Sequence, residues 1–538
     1  MNNFIFNFCV SITFLVSAIF ANENIPPGVI ISTSPDFATT YVGSPSVAIL
    51  PDGTYVASHD WFGKSPLGNL TSIFVSKDKG TTWTKTTQFP FHWANLFVHK
   101  GDLYLLGVIK QTYKVSPSFS HFAIRRSQDG GKTWTEPVDS QTGLIRTDGI
   151  YHTAPCPVIV HNGRIWRGME KILSKKEKET LKLSNRFGTQ FQALMTSAPV
   201  DADLLNADSW TISEPFLYDY ENWVGDGFLE GNAVLSPEKK ILNILRAQPL
   251  GLDKAIILDC SEDGKKLISR GKASQIDFPG GEVKFTIRFD KKSGRYWSLT
   301  SKQNNPIASR NYLVLTSSKD LIHWNIETIL FRHHDQDNHA WQYIDWLFEG
   351  ENNIVFVSRT AWDGSHNAHD ANYMTFHRIE NFRNKTSKDD APWLGQPKPV
   401  SQRPAEDFKT YETADLTIYG TYTEIGTFGN GQKAFANRNY VWLDVPEQFQ
   451  GWKFTRQNAR QNAASKPLEE ISVRAKKDTT VYLITLRHVA YWKLIHSESG
   501  YSDTSKSRIR IYECPIKEGE QLNLPQWGFT GGILLFKE

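Results

Sequence analysis

The chain has 538 residues, a length that predicts two or three domains rather than one. Aromatic residues make up 13% of it, with 17 Trp, 37 Gly and 4 Met, which is typical of twisted antiparallel β-sheets. Lys and Arg number 60 against 57 Asp and Glu, so the net charge of +3 excludes a strong overall attraction to nucleic acid or to a membrane surface.

The N-terminal segment is apolar and lacks charged side chains over residues 4–21. It ends in small residues and is short for a membrane span, so we predict a secretory signal peptide over residues 1–21. Because no Lys or Arg precedes the apolar run, a retained N-terminal anchor is the alternative. The spacing of Cys156, Cys260 and Cys514 suits neither a disulfide framework nor a metal site. We expect a secreted or periplasmic protein without a cofactor, a bound metal or a membrane span in the mature chain.

One short pattern, S-x-D-x-G-x-x-W, occurs at Ser76–Trp83 and again 51 residues later at Ser127–Trp134. Ser and Asp side chains can bond the backbone of a turn, Gly can adopt positive φ, and Trp can fill the gap to a neighbouring sheet. A degenerate copy lies at Ser318–Trp324, and Asn206–Trp210 is a further candidate. The spacing is close to the length of one propeller blade, which favours a β-propeller.

Turn signals separate paired apolar segments about every 50 to 75 residues between residues 28 and 382. They lie at Pro51–Gly53, Lys100–Asp102, Asn162–Gly163, Pro237–Lys239, Ser293–Gly294 and Glu351–Asn353. These hairpins predict a six-bladed propeller over residues 28–382, with seven blades as the alternative. The early segment Val29–Ser32 is then available to complete the last blade and close the ring.

A polar, Pro-containing linker is predicted over residues 383–405, followed by an accessory β-sandwich over residues 406–538. The expected sandwich core includes the aromatic residues Tyr440, Trp442, Trp452, Trp492 and Trp527. The charged segment Leu173–Arg186 predicts a helical insertion in the third blade. The predicted fold class is therefore all-β.

Polar residues follow the second strand of each predicted blade, where they reach one rim of the ring. They are His59, Asp60, Lys110, Glu170, Lys171, Arg246, Lys302 and Arg359. Each one alone is explained by a solvated turn. Together they are mostly cationic and occupy equivalent positions in successive blades. We therefore expect them to converge on a cavity that binds an anion such as a sugar carboxylate.

The loops that enter the innermost strands reach the same rim. They carry His92, Trp93, Arg146, Asp148, Tyr151, His152, Tyr220, Trp223, Asp226, Glu230, Glu282, Lys284, His339 and Trp341. Aromatic rings cover the apolar face of a sugar, and titratable groups move protons at the glycosidic oxygen. The histidines of residues 332–339 could also suggest a metal, but adjacent residues of an extended chain point to opposite sides.

With these turns and this blade spacing, residues 28–382 resemble the sialidase-like superfamily of β-propellers with Asp-box (BNR) repeats. The resemblance implies a secreted glycoside hydrolase acting on an oligo- or polysaccharide. Exo-sialidases in that superfamily use three arginines, a Tyr–Glu nucleophile pair, an Asp acid/base and an Arg-Ile-Pro motif in the first blade. Here that region reads Gly43-Ser44-Pro45, and no Arg precedes Arg125, which argues against a standard sialidase.

Residues 41–46 and 58–63 more closely resemble secreted Bacteroidetes propellers that act on the rhamnose–glucuronate caps of plant glycans. Those α-L-rhamnosidases are described as seven-bladed, with one catalytic His, which the resemblance assigns to His59. The favoured expectation is a glycosidase that cleaves a terminal sugar at or next to a carboxylated residue. The alternatives are an exo-α-sialidase, a uronate polysaccharide lyase and a non-catalytic glycan-binding propeller.

The predicted site follows from these arguments. The catalytic candidates are His59 with Asp60, and Glu230 with Glu282 as the reserve acid/base pair. The predicted substrate-binding residues are Arg246, Lys302, Arg359, Lys110, Glu170, His92, Trp93, His152, Tyr151, His339 and Trp341. We expect a monomer with an acidic glycan as its partner.

Overall fold

The computed structural model describes residues 25–111, 119–183, 187–248, 253–302, 310–395, 408–459, 470–486, 489, 492–503, 507–519, 521–524, 526 and 530–538. The predicted signal peptide lies outside them. Among these residues the fold is all-β, with a single α-helix, α1 (Lys175–Thr180), in the charged segment between two strands of the third sheet. No helix in this part of the chain is long and apolar enough to cross a membrane.

Strand β1 (Val29–Thr33) comes first, and six sheets then follow in chain order. The first sheet contains β2 (Thr40–Val42), β3 (Ser46–Ile49), β4 (Tyr55–Gly63), β5 (Leu70–Ser76) and β6 (Thr84–Pro90). The second contains β7 (His92–His99), β8 (Asp102–Gln111), β9 (Phe119–Ser127) and β10 (Leu144–Arg146). The third contains β11 (Ile150–His152), β12 (Ile159–His161), β13 (Arg164–Ile172), β14 (Phe191–Pro199) and β15 (Thr211–Ile212).

Three more sheets follow in chain order, and the last of them includes strand β1 from the start of the described chain. The fourth contains β16 (Phe228–Leu235), β17 (Ile241–Ala247), β18 (Lys254–Cys260), β19 (Leu267–Ile268) and β20 (Gln275–Asp277). The fifth contains β21 (Thr286–Asp290), β22 (Arg295–Ser301), β23 (Tyr312–Ser318) and β24 (Trp324–His333). The sixth contains β25 (Ala340–Glu349), β26 (Asn353–Ala361) and β27 (Tyr373–Ile379), and β1 pairs antiparallel with β27 as its outer strand. β28 (Trp393–Leu394) then joins β24 of the fifth sheet in parallel.

Buried hydrogen bonds join each sheet to the next and the last sheet to the first. The bonds are Ser46–Leu96, Asn95–Arg167, Glu170–Gly231, Asn232–Ile287, Lys284–Ile344 and Ser46–Asp345, with lengths of 2.6 to 3.0 Å. Because an unpaired buried polar group is costly, these bonds define the order and spacing of the sheets. The six sheets therefore form a closed, propeller-like ring around a polar centre.

Ser76–Trp83 connects β5 to β6 in the first sheet, and Ser127–Trp134 lies between β9 and β10 in the second. In the second turn, Ser127 Oγ donates to Asp129 Oδ1 at 2.9 Å, and the indole N–H of Trp134 donates to the carbonyl of Gly131 at 3.2 Å. The Trp134 ring packs on Phe89 of the first sheet, with centroids 5.9 Å apart. Each turn thus fastens its sheet to the preceding one, at the end of the ring remote from Asp60.

Two related segments differ. Ser318–Trp324 keeps the Ser–Asp bond but has Leu321 at φ 69° where the other turns have Gly. In Asn206–Trp210, Asn206 Oδ1 accepts the N–H of Asp208 and caps a 3-10 turn instead. The 3-10 turns described are Phe187–Gln190, Ala207–Ser209, Gly271–Ser274, Phe382–Asn384, Ser387–Asp389 and Glu447–Phe449.

The C-terminal strands form a separate core. They are β29 (Lys409–Glu412), β30 (Leu416–Gly420), β31 (Glu424–Thr427), β32 (Trp442–Leu443), β33 (Lys453–Arg456), β34 (Ile471–Ala475), β35 (Thr479–Thr485), β36 (Lys493–His496), β37 (Gly500–Tyr501), β38 (Arg510–Ile516), β39 (Gln521–Asn523) and β40 (Ile533–Phe536). Ile418 and Val473 from a four-stranded sheet pack with Leu483 and Leu534 from a six-stranded sheet, so the two sheets share one apolar layer.

The aromatic residues predicted for this core are distributed over two clusters. Trp442 is fully buried in a second cluster, against which Tyr440 and Trp452 pack, whereas Trp492 packs on the layer between the sheets. Trp527 lies outside the described residues. These aromatic residues serve packing, and none of the described ones is fully exposed.

Replacing Trp134 with Ala should lower the free energy of unfolding by about 2 to 4 kcal/mol, somewhat less than for a fully buried Trp, because this indole is half-buried. Urea denaturation followed by circular dichroism measures the change. Lys132→Ala, at an exposed position of the same turn, is the control and should have little effect. An unfolding free energy equal to that of the wild type would show that the turn does not fasten the two sheets.

Candidate functional site

Three innermost strands carry a β-bulge with a non-glycine residue in the left-handed conformation. These residues are Trp93 (φ 51°) on β7, Glu230 (φ 61°) on β16 and Tyr343 (φ 54°) on β25. Such a conformation costs a side-chain-bearing residue about 1–3 kcal/mol and is concentrated at functional sites. All three bulges lie at the end of the ring where Asp60, Arg246 and Arg359 also lie.

Glu230, Tyr343 and Arg246 form a buried, hydrogen-bonded cluster. Tyr343 Oη donates to Glu230 Oε1 at 2.8 Å, and Arg246 Nη1 donates to Glu230 Oε2 at 2.8 Å. Arg246 Nη1 also lies 3.4 Å from Tyr343 Oη, and its Nε donates to the carbonyl of Glu282 at 2.9 Å. The phenol therefore has a carboxylate on one side, ready to take its proton, and a guanidinium on the other.

Two further arginines lie over the Tyr343 ring. The guanidinium carbon of Arg359 is 4.8 Å from the ring centroid and that of Arg310 is 5.9 Å away. Backbone and side-chain oxygens hold both arginines, through the carbonyl of His369 for Arg359 and through Gln342 Oε1 for Arg310. Three guanidinium groups thus surround one phenol, and Glu230 neutralises only one of them.

The charges of this cluster shift its pKa values. Burial would raise the pKa of Glu230, but Arg246 and His152 outweigh burial and lower it. Burial and the charge of Glu230 raise the pKa of Tyr343, so the phenol is protonated at rest. Burial and the neighbouring charge of Arg246 lower the pKa of Arg310 to about 9. An excess of buried positive charge favours an anionic ligand.

Asp60 lies on β4 with its carboxylate directed toward this end of the ring. Its Oδ2 is 2.5 Å from His92 Nδ1 and accepts the N–H of Trp93 at 3.3 Å, and its Oδ1 accepts the N–H of Ser44 at 2.5 Å. Burial would raise the pKa of Asp60, but His92 and the two backbone N–H groups outweigh it and hold the pKa well below its ordinary value. A Cβ atom at Gly43 would collide with this carboxylate, so the first-blade Gly-Ser-Pro sequence makes room for Asp60.

A circuit of contacts encloses the site. From Asp60 it passes through the Trp93 N–H to the Trp93 ring, which lies 4.5 Å from the His152 ring. His152 interacts electrostatically with Glu230, and Glu230 bonds Tyr343. Arg359 closes the circuit, since it lies over both the Tyr343 ring and the ring of Phe62, two residues beyond Asp60. These groups converge on one mouth.

His59 points away from this mouth. It is fully buried, with Nδ1 3.0 Å from the carbonyl of Asp60 and Nε2 3.0 Å from Ser32 Oγ. Its ring packs on Trp61 and Phe74, and burial lowers its pKa to about 4. The Asp60 carboxylate bonds His92 instead of His59, because β4 continues to Gly63 and successive residues alternate between the two faces.

The other predicted residues are distributed as follows. Glu170 bonds His152 and is fully buried, and Tyr151 Oη donates to Asp148 beside the rim. Glu282 is buried and reaches the site through its backbone carbonyl. Lys302 follows β22 at an intermediate exposure, and Lys110 pairs with Ser120 through its backbone, its side chain lying outside the described atoms.

His339 and Trp341 do not join the circuit. His339 bonds Asp335 and Asp363 and stacks on His333 at 3.6 Å, whereas Trp341 is fully buried against Phe331. Within the part of the chain that the structure describes, no group of three or more His, Cys, Asp or Glu is arranged to hold a metal ion.

Sequence reasoning missed Tyr343 and Arg310. Tyr343 lies in the apolar segment of β25, where a bulge turns its side chain into the site, and alternation alone would not place it there. Arg310 lies two residues before the third strand of its sheet, whereas the predicted cations follow the second strand. An Arg close to a strand start at the same rim was the available signal for Arg310, whereas no signal marked Tyr343.

A groove of about 660 Å³ lies elsewhere, at the outer strands of the fifth and sixth sheets. Its lining includes Phe331, Phe356, Phe376 and His377 and shares no residue with the circuit. The convergence of charged groups, rather than the size of a cavity, identifies the candidate site.

No protein-family model matches the sequence, and no curated protein matches it significantly. Solved structures do match. The α-L-arabinanase of Penicillium chrysogenum complexed with arabinobiose is 13% identical with a TM-score of 0.42, and the match covers 66% of this chain and 98% of that one. The GH93 α-L-arabinofuranosidase of Fusarium graminearum is 12% identical with a TM-score of 0.46 over 66% and 98%. A family 117 glycoside hydrolase of Zobellia galactanivorans is 12% identical with a TM-score of 0.36 over 69% and 94%. At these sequence identities and TM-scores, the similarity to solved structures identifies neither the substrate nor the reaction of this protein.

The buried position of His59 predicts a defined effect of pH on stability. Its pKa is lowered from 6.5 in the unfolded chain to about 4 in the fold, so the unfolded state binds the proton more tightly. The stability that the neutral ring contributes is present above pH 6.5 and is lost as pH falls toward 4. Wild type should lose roughly 3 kcal/mol more than His59→Gln across this window.

Urea unfolding of both proteins between pH 7 and 4 measures this difference, with His323→Gln at an exposed position as the control. His59→Gln should also retain turnover within about tenfold. A folded variant that loses activity by about 10²-fold or more would restore His59 as the catalytic acid or base.

Proposed function

We propose that this protein is an exo-glycosidase that removes a terminal acidic sugar whose carboxylate is attached to the anomeric carbon, as in sialosides. Tyr343 is the nucleophile, Glu230 its base and Asp60 the acid/base. Arg246, Arg310 and Arg359 bind the carboxylate. The observation that carries the proposal is the 2.8 Å bond between Tyr343 Oη and Glu230 Oε1 among three guanidinium groups.

The choice of a phenol supports this substrate class. Most retaining glycosidases use a carboxylate as nucleophile, and tyrosine nucleophiles are the exception found in sialidases. A carboxylate nucleophile would approach an anomeric carbon that already bears a negative group and would be repelled by it. A neutral phenol that loses its proton to Glu230 during attack avoids this repulsion.

The reaction proceeds in two displacements. The arginines orient the sugar carboxylate, Tyr343 Oη attacks the anomeric carbon and transfers its proton to Glu230, and the glycosidic oxygen leaves with a proton. This proton comes through the Asp60–His92 pair, in which the two groups lie 2.5 Å apart, close enough to share one proton. Asp60 then takes a proton from water, which attacks the anomeric carbon and displaces Tyr343; the departing phenol takes its proton back from Glu230, and the configuration is retained overall.

Two other interpretations compete. The rhamnose–glucuronate interpretation depended on His59, whose two ring nitrogens are both engaged away from the site. A uronate lyase is favoured by one observation, because Tyr343 could abstract the proton next to a carboxylate that the arginines neutralise. The two reactions differ in product, since the lyase forms an unsaturated uronate that absorbs ultraviolet light.

We further propose that the six sheets are the six blades of a sialidase-like propeller and that residues 406–538 form an accessory sandwich. On the strength of residues 1–21, we place the protein outside the cytoplasm. The test is a screen of the full chain on sialosides, rhamnose–glucuronate oligosaccharides and uronate polysaccharides, reading free sugar and ultraviolet absorbance. Release of the free keto-acid sugar supports the proposal, and an unsaturated product would assign the lyase.

Tyr343→Phe should lower kcat by about 10³-fold or more on a sialoside, within the range expected for losing the group that reacts and transfers a proton. The fold should persist, because Phe fills the same volume beneath Arg359. Steady-state kinetics with an aryl sialoside measure the effect, and unfolding by urea is the control. Turnover within tenfold of wild type would exclude Tyr343 as nucleophile.

Arg310→Ala should weaken transition-state binding of the carboxylated substrate by roughly 2 to 5 kcal/mol in kcat/KM. The methyl ester of the same substrate should lose much less, since it offers no charge to the guanidinium. Arg126→Ala, on the outer part of the second sheet, is the matched control. Equal losses on the acid and the ester would assign Arg310 a structural role.

A further inference from the structure

We infer that His152, held by Glu170, is a specificity residue that accepts a hydrogen bond from a hydroxyl group of the bound sugar. This inference rests on the proposed glycosidase function. It concerns the wall of the site formed by the second and third sheets, across the ring from Arg310 and Arg359 on the fifth and sixth sheets.

The Glu170–His152 pair fixes which ring nitrogen carries the proton. Glu170 Oε2 lies 2.8 Å from His152 Nδ1, and the Glu170 side chain has no exposed surface. An ionised carboxylate only accepts hydrogen bonds, so Nδ1 must carry a proton. In the neutral form of the ring, Nε2 then presents a lone pair on the edge directed away from Glu170.

The position of the ring leaves that edge for a ligand. The His152 ring packs between Trp93, at 4.5 Å, and Phe191, at 4.9 Å. Its side chain keeps 9% of its exposure, and its Nε2 makes no hydrogen bond to any residue that the structure describes. Since His152 also interacts with Glu230, this edge belongs to the mouth that holds the Tyr343–Glu230 pair.

Packing alone does not explain why a carboxylate occupies the buried position of Glu170. Its Oε1 accepts the N–H of Gly231 at 3.0 Å and so holds the bulge that carries Glu230. The amide oxygen of a glutamine could do the same without the cost of burying a charge. Apart from its charge, the carboxylate differs from the amide in that it can only accept a hydrogen bond from His152 Nδ1. We therefore assign Glu170 as the positioning residue of His152.

Glu170→Gln separates this role from a structural one. Its amide oxygen can still bond Gly231, but its amide nitrogen donates to Nδ1 and moves the proton of the neutral ring to Nε2. Nitrogen-15 NMR of the imidazole at pH 8 should show the proton on Nδ1 in wild type and on Nε2 in the variant. His152→Phe identifies the resonance, and Glu177→Gln, at a partly exposed position, should leave it unchanged.

The matching kinetic test uses substrates in which each sugar hydroxyl in turn is a methyl ether, which accepts but cannot donate. Wild type should lose about 10²-fold in kcat/KM for one of these ethers, as expected for a site built to bond a hydroxyl. Glu170→Gln should reduce this penalty at least tenfold, because Nε2–H can donate to the ether oxygen, and His152→Phe should abolish the dependence.

A proton on Nε2 in wild type, or the same ether penalty in wild type and Glu170→Gln, would overturn the inference. The proposed function fails in a different way. If neutral sugars are hydrolysed and acidic ones are not, the proposed binding of a substrate carboxylate is wrong. The tautomer of His152 and the loss of kcat/KM with the methyl ethers of the sugar that is cleaved still decide the role of His152.

Discussion

Glu230 is an ionised side chain with almost no access to water, and a buried carboxylate is tolerated only when cations and donors surround it. Arg246 and Tyr343 supply those partners. This requirement explains much of the surrounding structure. The left-handed bulges at Glu230 and Tyr343 turn the two side chains toward each other, and the conformational cost of each bulge is offset by the bonds that it makes possible. Removing Arg246 would leave the charge of Glu230 uncompensated.

The same arrangement explains why the site would bind an anion. One carboxylate neutralises one guanidinium, whereas Arg310 and Arg359 bond oxygens of Gln342 and His369 and form no ion pair with a carboxylate of the described residues. Burial, together with repulsion from Arg246 and Arg359, lowers the pKa of Arg310. A ligand carboxylate relieves this repulsion, so binding and charge neutralisation reinforce each other. The fold keeps the cluster in place through the buried bonds between neighbouring sheets, at the end of the ring opposite the tryptophan turns. Stability and chemistry are thus largely separated in space.

Parts of this arrangement could be predicted from the sequence. Turn signals and strand spacing indicate the repeated hairpins, and strand ends indicate Arg246, Arg359 and Asp60, because residues at equivalent positions of successive sheets meet at one rim. His59 shows the limit of this reasoning. The apolar segment before it suggested a strand ending at Ser58, but β4 continues to Gly63, and the period of two places His59 and Asp60 on opposite faces.

The missed residues have a different cause. A bulge inserts one residue and shifts which side chain faces the site, and nothing in the sequence around Tyr343 marks that shift. Glu170 also bonds Gly231 of the next sheet, and Glu230 bonds Tyr343 of the sixth sheet, 113 residues away, so these two pairings depend on ring closure rather than on local pattern. Charge and residue type were therefore readable from the sequence, whereas the pairing of acids with their cations and donors required coordinates.

The central claim is that Tyr343 forms a covalent bond with the anomeric carbon of an acidic sugar. A 2,3-difluoro keto-acid sugar tests it directly, because fluorine at the leaving position allows attack and the neighbouring fluorine slows release. Mass spectrometry of the intact protein and of its peptides should show one added glycosyl group, located on Tyr343 and absent in Tyr343→Phe. A label on Glu230 or Asp60, or no label while the protein turns over a sialoside, would contradict the account.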